Sequence, residues 1–539
     1  MLIGTTAQPG RIPRQTVATR MREQELPRGS PASRSYRGGV ARVAVVGAGL
    51  GALAAAARLA ALGHAVTVLE QAPQVGGKHG WYARDGHGFD TGPSLVTLPH
   101  LYRDLFTATG GPLEDAVDLV RLDPAVAYRF ADGTPLSVPG EAAAVPGALD
   151  AALGPGSGAQ WAALMARAER MWQVTEQPFL RSPLAGAATL TRLARSASDV
   201  ATVAPWRTLR GLGTAYLRDP RLRTLLDRYA TYSGSDPRRA PAVLATVPYV
   251  EQAFGSWYVR GGLRRLAEAV AQRAVERGAV VRTGCAVEQV LVEGGRAAGV
   301  RLAGGEVVRA DVVVSGADAA ALYADLLPAS RPTRGVRHDL ARSTPSLSGF
   351  VLLLALRGRT PGLAHHTVLF PEDYDAEFDA VFGVGRHRGA PQPVADPTVY
   401  VSAPDDPATR PDDDSESWFV LVNAPRLDPA GGVAWDAPGL ADRYAQRVLD
   451  VLARRGLDVR DRVRWCVTRT PADLERDTRS VGGSIYGTSS NGARAAFLRP
   501  GNASPIPGLF LVGGSSHPGG GLPLVALSAE IVAGLVGPA

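Results

Sequence analysis

The clearest hydrophobic pattern in the chain lies at residues 43–70, VAVVGAGLGALAAAARLAALGHAVTVLE. Four apolar residues, Val43 to Val46, run into Gly47-Ala48-Gly49-Leu50-Gly51-Ala52. A helix-compatible stretch follows, and a second apolar run, 66–69, stops at Glu70. This order predicts strand, tight glycine turn, helix, strand and terminal acid.

Further along, the pattern predicts a hairpin across 126–138 with Asp132-Gly133 as its turn. Helices rich in Ala, Leu and Arg are expected at 160–173, 187–197 and 208–217, broken by Pro178, Pro183, Pro205 and Pro220. Trp161, Met165, Met171, Trp172, Phe179, Leu180 and Trp206 in this region suit either a packed core, or a ligand tunnel or membrane-facing surface. After Gly261-Gly262, apolar positions Leu263, Leu266, Ala267, Val270, Ala274 and Val275 predict a helix. Apolar runs at 280–282, 287–292, 299–302 and 307–308, with turns at Gly294-Gly295 and Gly304-Gly305, read as a small β-meander. An apolar strand at 312–314 then ends in a small-residue turn. Runs at 350–356, 398–402, 418–422 and 463–467 predict a second, mixed sheet, partly covered by a helix at 440–454. Finally a buried strand, 509–512, meets Gly513-Gly514, and a helix is expected over 524–536.

The expected fold class is α/β: a Rossmann-like nucleotide-binding domain with an interleaved mixed-sheet and helical substrate domain. The first is expected from 41–105, 256–335 and 475–539, and the second from 106–255 and 336–474. Residues 1–40 read as a disordered Arg-rich tail, or in part as sequence ahead of an internal start at Met21.

The glycine turn carries specific chemistry. Gly47 allows the turn, Gly49 lets a pyrophosphate approach the backbone, and the small Ala52 lets the helix pack close to the sheet. The helix N-terminus presents unpaired N–H groups to phosphate. Glu70, twenty-three residues after Gly47, is placed to accept hydrogen bonds from an adenosine ribose. A second glycine loop, Val75-Gly76-Gly77-Lys78, offers N–H groups and an ammonium to the same ligand. The late glycines open another helix N-terminus, suited to the negative charge of a reduced flavin ring.

Composition narrows the alternatives. The net charge of +7 suggests a nucleic-acid partner until it is located. Seven arginines against two glutamates put +5 of it in residues 1–40, so no nucleic-acid surface is expected on the folded part. Cys285 and Cys466 have no metal-ligand or redox spacing and are expected as buried, unpaired thiols. No metal site is expected; His365 and His366 are adjacent and would point to opposite faces of a strand. No apolar run is long enough to span a bilayer.

With these motifs in hand, the chain resembles the bacterial-type phytoene desaturases, carotenoid desaturases among the amine-oxidase-like flavoproteins. The resemblance rests on the 43–70 unit with Val75-Gly76-Gly77-Lys78, and on Phe89-Asp90-Thr91-Gly92-Pro93-Ser94. It rests further on Gly482-Gly483-Ser484-Ile485-Tyr486-Gly487 and on His517-Pro518-Gly519-Gly520-Gly521-Leu522-Pro523. It implies FAD, with pyrophosphate at Gly47 and Gly49, ribose at Glu70, and contacts at Ala52, Gly77, Lys78, Pro93 and Ser94. Val287 would meet the adenine end, and Gly513, Gly514, Gly521 and Leu522 the ribitol and ring. Lys78 stands where arginine is frequent, which keeps the charge and loses bidentate geometry.

The implied substrate is a long apolar polyene, and the implied reaction a desaturation in which the flavin takes a hydride while the neighbouring carbon loses a proton. The implied location is cytoplasmic, peripherally on the membrane surface. His517 is the best-placed titratable group for acid–base work, or else a hydrogen-bonded structural histidine. A ketolase or oxygenase, a polyene isomerase, or a non-catalytic lipid binder resembling the dissociation inhibitors would share much of this pattern.

Overall fold

The computed structural model of the chain describes residues 39–539 apart from 185–188, 190–195, 493, 494 and 496–498. The tail expected at 1–40 lies almost wholly outside them, as does most of the helix expected at 187–197.

The expected strand, helix and strand are β1 (Arg42–Val46), α1 (Leu50–Ala61) and β2 (Ala65–Leu69). They belong to a five-stranded parallel sheet in the order Leu509–Leu511, Val312–Ser315, β1, β2, Val280–Arg282. β1 is a continuous apolar run because both of its faces are covered. Val43 and Val45 pack against the helical side, where α1 meets Arg264–Glu276 and α2 (Leu522–Val536). Ala44 and Val46 pack on the other side, against a three-stranded antiparallel sheet. The alanines of α1 are buried nearly all round, which lets it sit between the sheet and α2.

The meander expectation needs one correction. Val287–Glu293, Arg296–Leu302 and Val307–Arg309 form the antiparallel sheet, but Val280–Arg282 pairs in parallel with β2. The helix Arg264–Glu276 precedes it, and such a helical crossover delivers a strand parallel to the sheet edge rather than into a hairpin.

A seven-stranded mixed sheet follows the order Val463–Arg469, Ser348–Arg357, Ser415–Ala424, Val399–Ser402, His366–Leu369, Val126–Arg129, Pro135–Val138. The expected hairpin at 126–138 supplies its far edge through a parallel pairing with His366–Leu369. Alternation sorts its two faces. Trp418, Val420 and Val422 join a core under the helix Leu440–Arg454, whereas Phe419, Leu421 and Asn423 line a cavity on the opposite face.

Two smaller expectations fail. Cys285 and Cys466 are unpaired, but Cys466 is exposed and Cys285 only half-buried, on strand-edge and loop positions that solvent reaches. The rings of His365 and His366 do not diverge: His365 precedes its strand, and the two centroids lie 4.5 Å apart.

Candidate functional site

The site begins with glycine loops packed on one another. Gly47 has φ +86°, a left-handed turn that favours glycine, and its N–H donates to the Leu69 carbonyl. Gly76 N–H donates to the Ala48 carbonyl, and a Cβ on Gly77 would lie 3.1 Å from Gly49 Cα. Among the described residues, chain neighbours aside, no atom lies within 4 Å of a Cβ placed on Gly49, and Gly49 lines the cavity. Neither α1, opening at Gly49, nor α2, opening at Gly521, has a side-chain cap, so both N-termini keep N–H groups for a ligand.

Both helix ends open on a single cavity of about 710 Å³. Gly47, Gly49, Ala52, Glu70, Gly77, Lys78, Pro93, Ser94, Val287, Gly513, Gly514, Gly521 and Leu522 all line it. The Ala52 methyl faces Gly316, where a Cβ would lie 2.8 Å away, so nothing larger fits at either position. Beyond the glycines the wall turns apolar, with Val351, Phe419 and Leu421 from the sheet and Trp172, Phe179 and Leu180 from the helical region. The apolar set that sequence left open is therefore divided: Trp161 and Met171 are core, three residues line the cavity, and Trp206 is 66% exposed.

Charged groups concentrate at the junction. Glu70 accepts from Ala48 N–H at 2.6 Å and from Ala72 N–H at 2.8 Å, which fixes its carboxylate beside the glycine turn. The Lys78 ammonium donates to the carbonyls of Ser484 (3.1 Å) and Ile485 (2.6 Å). Burial pushes it down to about 8, with Asp318 opposing and Arg499 adding to the shift. Arg499 donates to the carbonyls of Tyr486, Thr488 and Gly514, and burial pushes it down to about 10. Burial raises Asp318, against the pull of Lys78. Two cations thus face one carboxyl, and the junction favours an anionic ligand.

His517 is not among the cavity-lining residues. It is fully buried, and its Nε2 lies 2.8 Å from the Phe179 carbonyl and 3.0 Å from that of Ser182. These contacts join the C-terminal glycine segment to the helical region.

Sequence reading passed over Arg228 and Glu251, which are buried yet line the cavity. Arg228 Nη1 donates to Tyr232 (3.2 Å) and Tyr128 (3.4 Å); Tyr229 and Tyr232 donate to Glu251 at 2.8 and 3.1 Å. The one local hint was the arginine directly before two tyrosines spaced i, i+3.

The cradle fits FAD: open space at Gly49, an acid beside the turn, two uncapped helix ends and a cationic junction lie along one cavity. Comparison with known proteins agrees. Residues 53–536 match the model of the flavin-containing amine oxidoreductases. The chain is 35% identical to a 4,4'-diapolycopene oxygenase of Methylomonas sp, over 91% of this chain and 97% of that protein. It is 35% identical to a hydroxyneurosporene desaturase of Rubrivivax gelatinosus (91% and 92%). It is 32% identical to a zeta-carotene-forming phytoene desaturase of Myxococcus xanthus (91% and 93%). In fold it is similar to an oxidoreductase from Methanosarcina mazei, with TM-score 0.59, 17% identity and coverage of 90% and 98%. It is likewise similar to the cyclohexylamine oxidase of Brevibacterium oxydans, with TM-score 0.58, 16% identity and coverage of 92% and 99%. The chain belongs to the flavin-containing amine oxidoreductase family, and it is an FAD-dependent oxidoreductase.

Proposed function

We propose that the protein desaturates a carotenoid-like polyene. The observation that carries this reading is the continuity of one cavity, from the two helix N-termini to the apolar face of the seven-stranded sheet. The names of the relatives, carotenoid desaturases and oxygenases, support the same substrate class. When bound, FAD supplies a two-electron acceptor for a hydride from carbon.

Each part of the chain has a task in this reading. Residues 41–105, 256–335 and 475–539 form the cofactor part, and 106–255 and 336–474 the substrate part. Gly47 and Gly49 admit the pyrophosphate, Glu70 holds the ribose, and Gly77 and Lys78 complete that end with Ala52, Pro93 and Ser94. Val287 borders the adenine, while Gly513, Gly514, Gly521 and Leu522 surround the ribitol and ring. Val351, Phe419 and Leu421 exclude water and hold the polyene by burial, since a hydrocarbon offers nothing to bond.

The substrate enters from a membrane surface. Trp206 is exposed, next in the chain to the cavity-lining Pro205, and an exposed Trp there suits the bilayer interface. Among the described residues no helix is long and apolar enough to cross a membrane, which fits a peripheral attachment.

The test is product analysis with FAD-loaded protein and acyclic carotenes of different saturation. Loss of two hydrogens per turnover, with lengthened conjugation, is expected. A product heavier by oxygen would favour the oxygenase reading that the Methylomonas relative's name suggests. Unchanged carotenes in the presence of retained FAD and an electron acceptor would overturn the proposal.

A further inference from the structure

A desaturation releases one proton from carbon for each hydride, and that proton needs an acceptor. Among the described residues four carboxyl groups line the cavity: Glu70, Glu251, Asp318 and Asp477. Three of them are engaged on the nucleotide side. Glu70 accepts from two backbone N–H groups beside the glycine turn, and Asp318 lies under the charges of Lys78 and Arg499. The exposed Asp477 pairs with Arg469, and its carbonyl accepts from Gln71. The lining histidine, His79, follows Lys78 in the second glycine loop, and burial pushes it down to about 4. Glu251 alone lies in the part assigned to the substrate.

Glu251 is 5% exposed, and Arg228, 7% exposed, shares its wall. Burying a carboxyl and a guanidinium beside a hydrocarbon site is costly. Among the described residues no ion pair joins them. The Tyr232 hydroxyl stands between, accepting from Arg228 Nη1 at 3.2 Å and donating to Glu251 Oε2 at 3.1 Å. Tyr229 donates to the other carboxyl oxygen at 2.8 Å. Tyr232 lines the cavity and is only half-buried, so its side chain links the cavity surface to a buried carboxyl. Burial raises that carboxyl, while Arg228 and the two tyrosines pull it down. Glu251 is thereby a stronger base than an exposed glutamate, with a nearby cation that favours its ionised form.

The position of this pair relative to the cofactor cradle follows from Tyr486. Its ring packs against Gly234, two residues after Tyr232, where a Cβ would lie 3.0 Å from it, and also against Gly520 in the C-terminal glycine segment. Tyr486 and Gly520 both line the cavity. One aromatic ring thus spans from the chain beside Tyr232 to the glycines assigned to the flavin.

We propose that Tyr232 and Glu251 form the proton acceptor of the desaturation. Departure of a hydride, which carries two electrons to FAD, leaves positive charge on carbon and makes the neighbouring C–H bond acidic, so a carboxylate is base enough. That C–H bond breaks and its electron pair becomes the new π bond. Its proton joins the Tyr232 oxygen as the Tyr232 proton moves to Glu251 Oε2, and Glu251 ends neutral. The Arg228 N–H fixes the Tyr232 oxygen, and the carboxylate offsets the charge developing on the polyene. Tyr232 is the catalytic residue, and Glu251 acts through it. This role rests on the desaturation proposed above.

The experiment follows a single anaerobic turnover of an acyclic C40 carotene by the FAD-loaded full chain, with rapid quenching and mass analysis. Quenching of tryptophan fluorescence gives the carotene dissociation constant. Glu251→Gln and Tyr232→Phe, each close to the native shape, should slow double-bond formation by about a hundredfold, with FAD content and carotene binding unchanged. Glu251→Asp, which keeps a carboxylate, should recover part of the rate that Glu251→Gln loses. The wild-type rate should fall in D2O, because the Tyr232 proton is in motion, and Tyr232→Phe should lose that sensitivity. Rates within about threefold of wild type in both Glu251→Gln and Tyr232→Phe overturn this inference alone. So does a slowed Tyr232→Phe protein that keeps the full D2O response, which would assign the hydroxyl to packing. Absence of any new double bond from the wild type, with FAD retained, overturns the desaturation reading and this inference with it.

Discussion

A Cβ on Gly51 would lie 3.1 Å from Gly513 Cα and 3.2 Å from Val525 Cβ, so the first and last glycine segments of the chain touch where α1 passes α2. The contact puts both helix N-termini on one cavity. Gly51→Val forces overpacking there, which costs about 1–3 kcal/mol. Thermal denaturation of FAD-free protein should show a lower Tm; an unchanged Tm would mean that the two segments do not meet as described.

Gly49, two residues earlier, should fail in a different way. Its φ of −68° suits any residue and its Cβ position is open, so Gly49→Val should fold with the wild-type Tm in the FAD-free state. The added methyls fill space assigned to the pyrophosphate, and flavin absorption of the purified variant should be lost. A folded Gly49→Val protein with normal flavin content would refute that assignment.

Lys78 gives the FAD-free protein a pH signature. Its folded value, about 8, is below its ordinary 10.5, so between these limits the unfolded chain binds more protons and stability rises with pH. Comparison with Lys78→Met isolates the effect. From pH 8 to 10.5 the wild type should gain on the variant by up to roughly 3 kcal/mol in denaturant titrations. A difference flat across that range would show that the ammonium is not desolvated.

Trp206 tests the membrane surface. Trp206→Ala should weaken co-sedimentation with phospholipid vesicles and slow turnover of vesicle-borne carotene, leaving FAD content and turnover in detergent unchanged. Equal vesicle binding would move the docking surface elsewhere.

What sequence alone determined was local. The glycine spacing, the apolar run of β1 and the terminal Glu70 specify one βαβ unit, because each follows from backbone conformation and from burial on both faces. Apolar runs located four strands of the second sheet, and all thirteen residues expected around the cofactor line one cavity. Tertiary structure decided what depends on partners distant in the chain. Val280–Arg282 joined the parallel sheet because a helix delivers it there, and His517 was taken up by carbonyls more than three hundred residues away. The Arg228, Tyr232 and Glu251 cluster is of the same kind. Its members look like unrelated polar residues in sequence, and only the fold buries them together against one cavity.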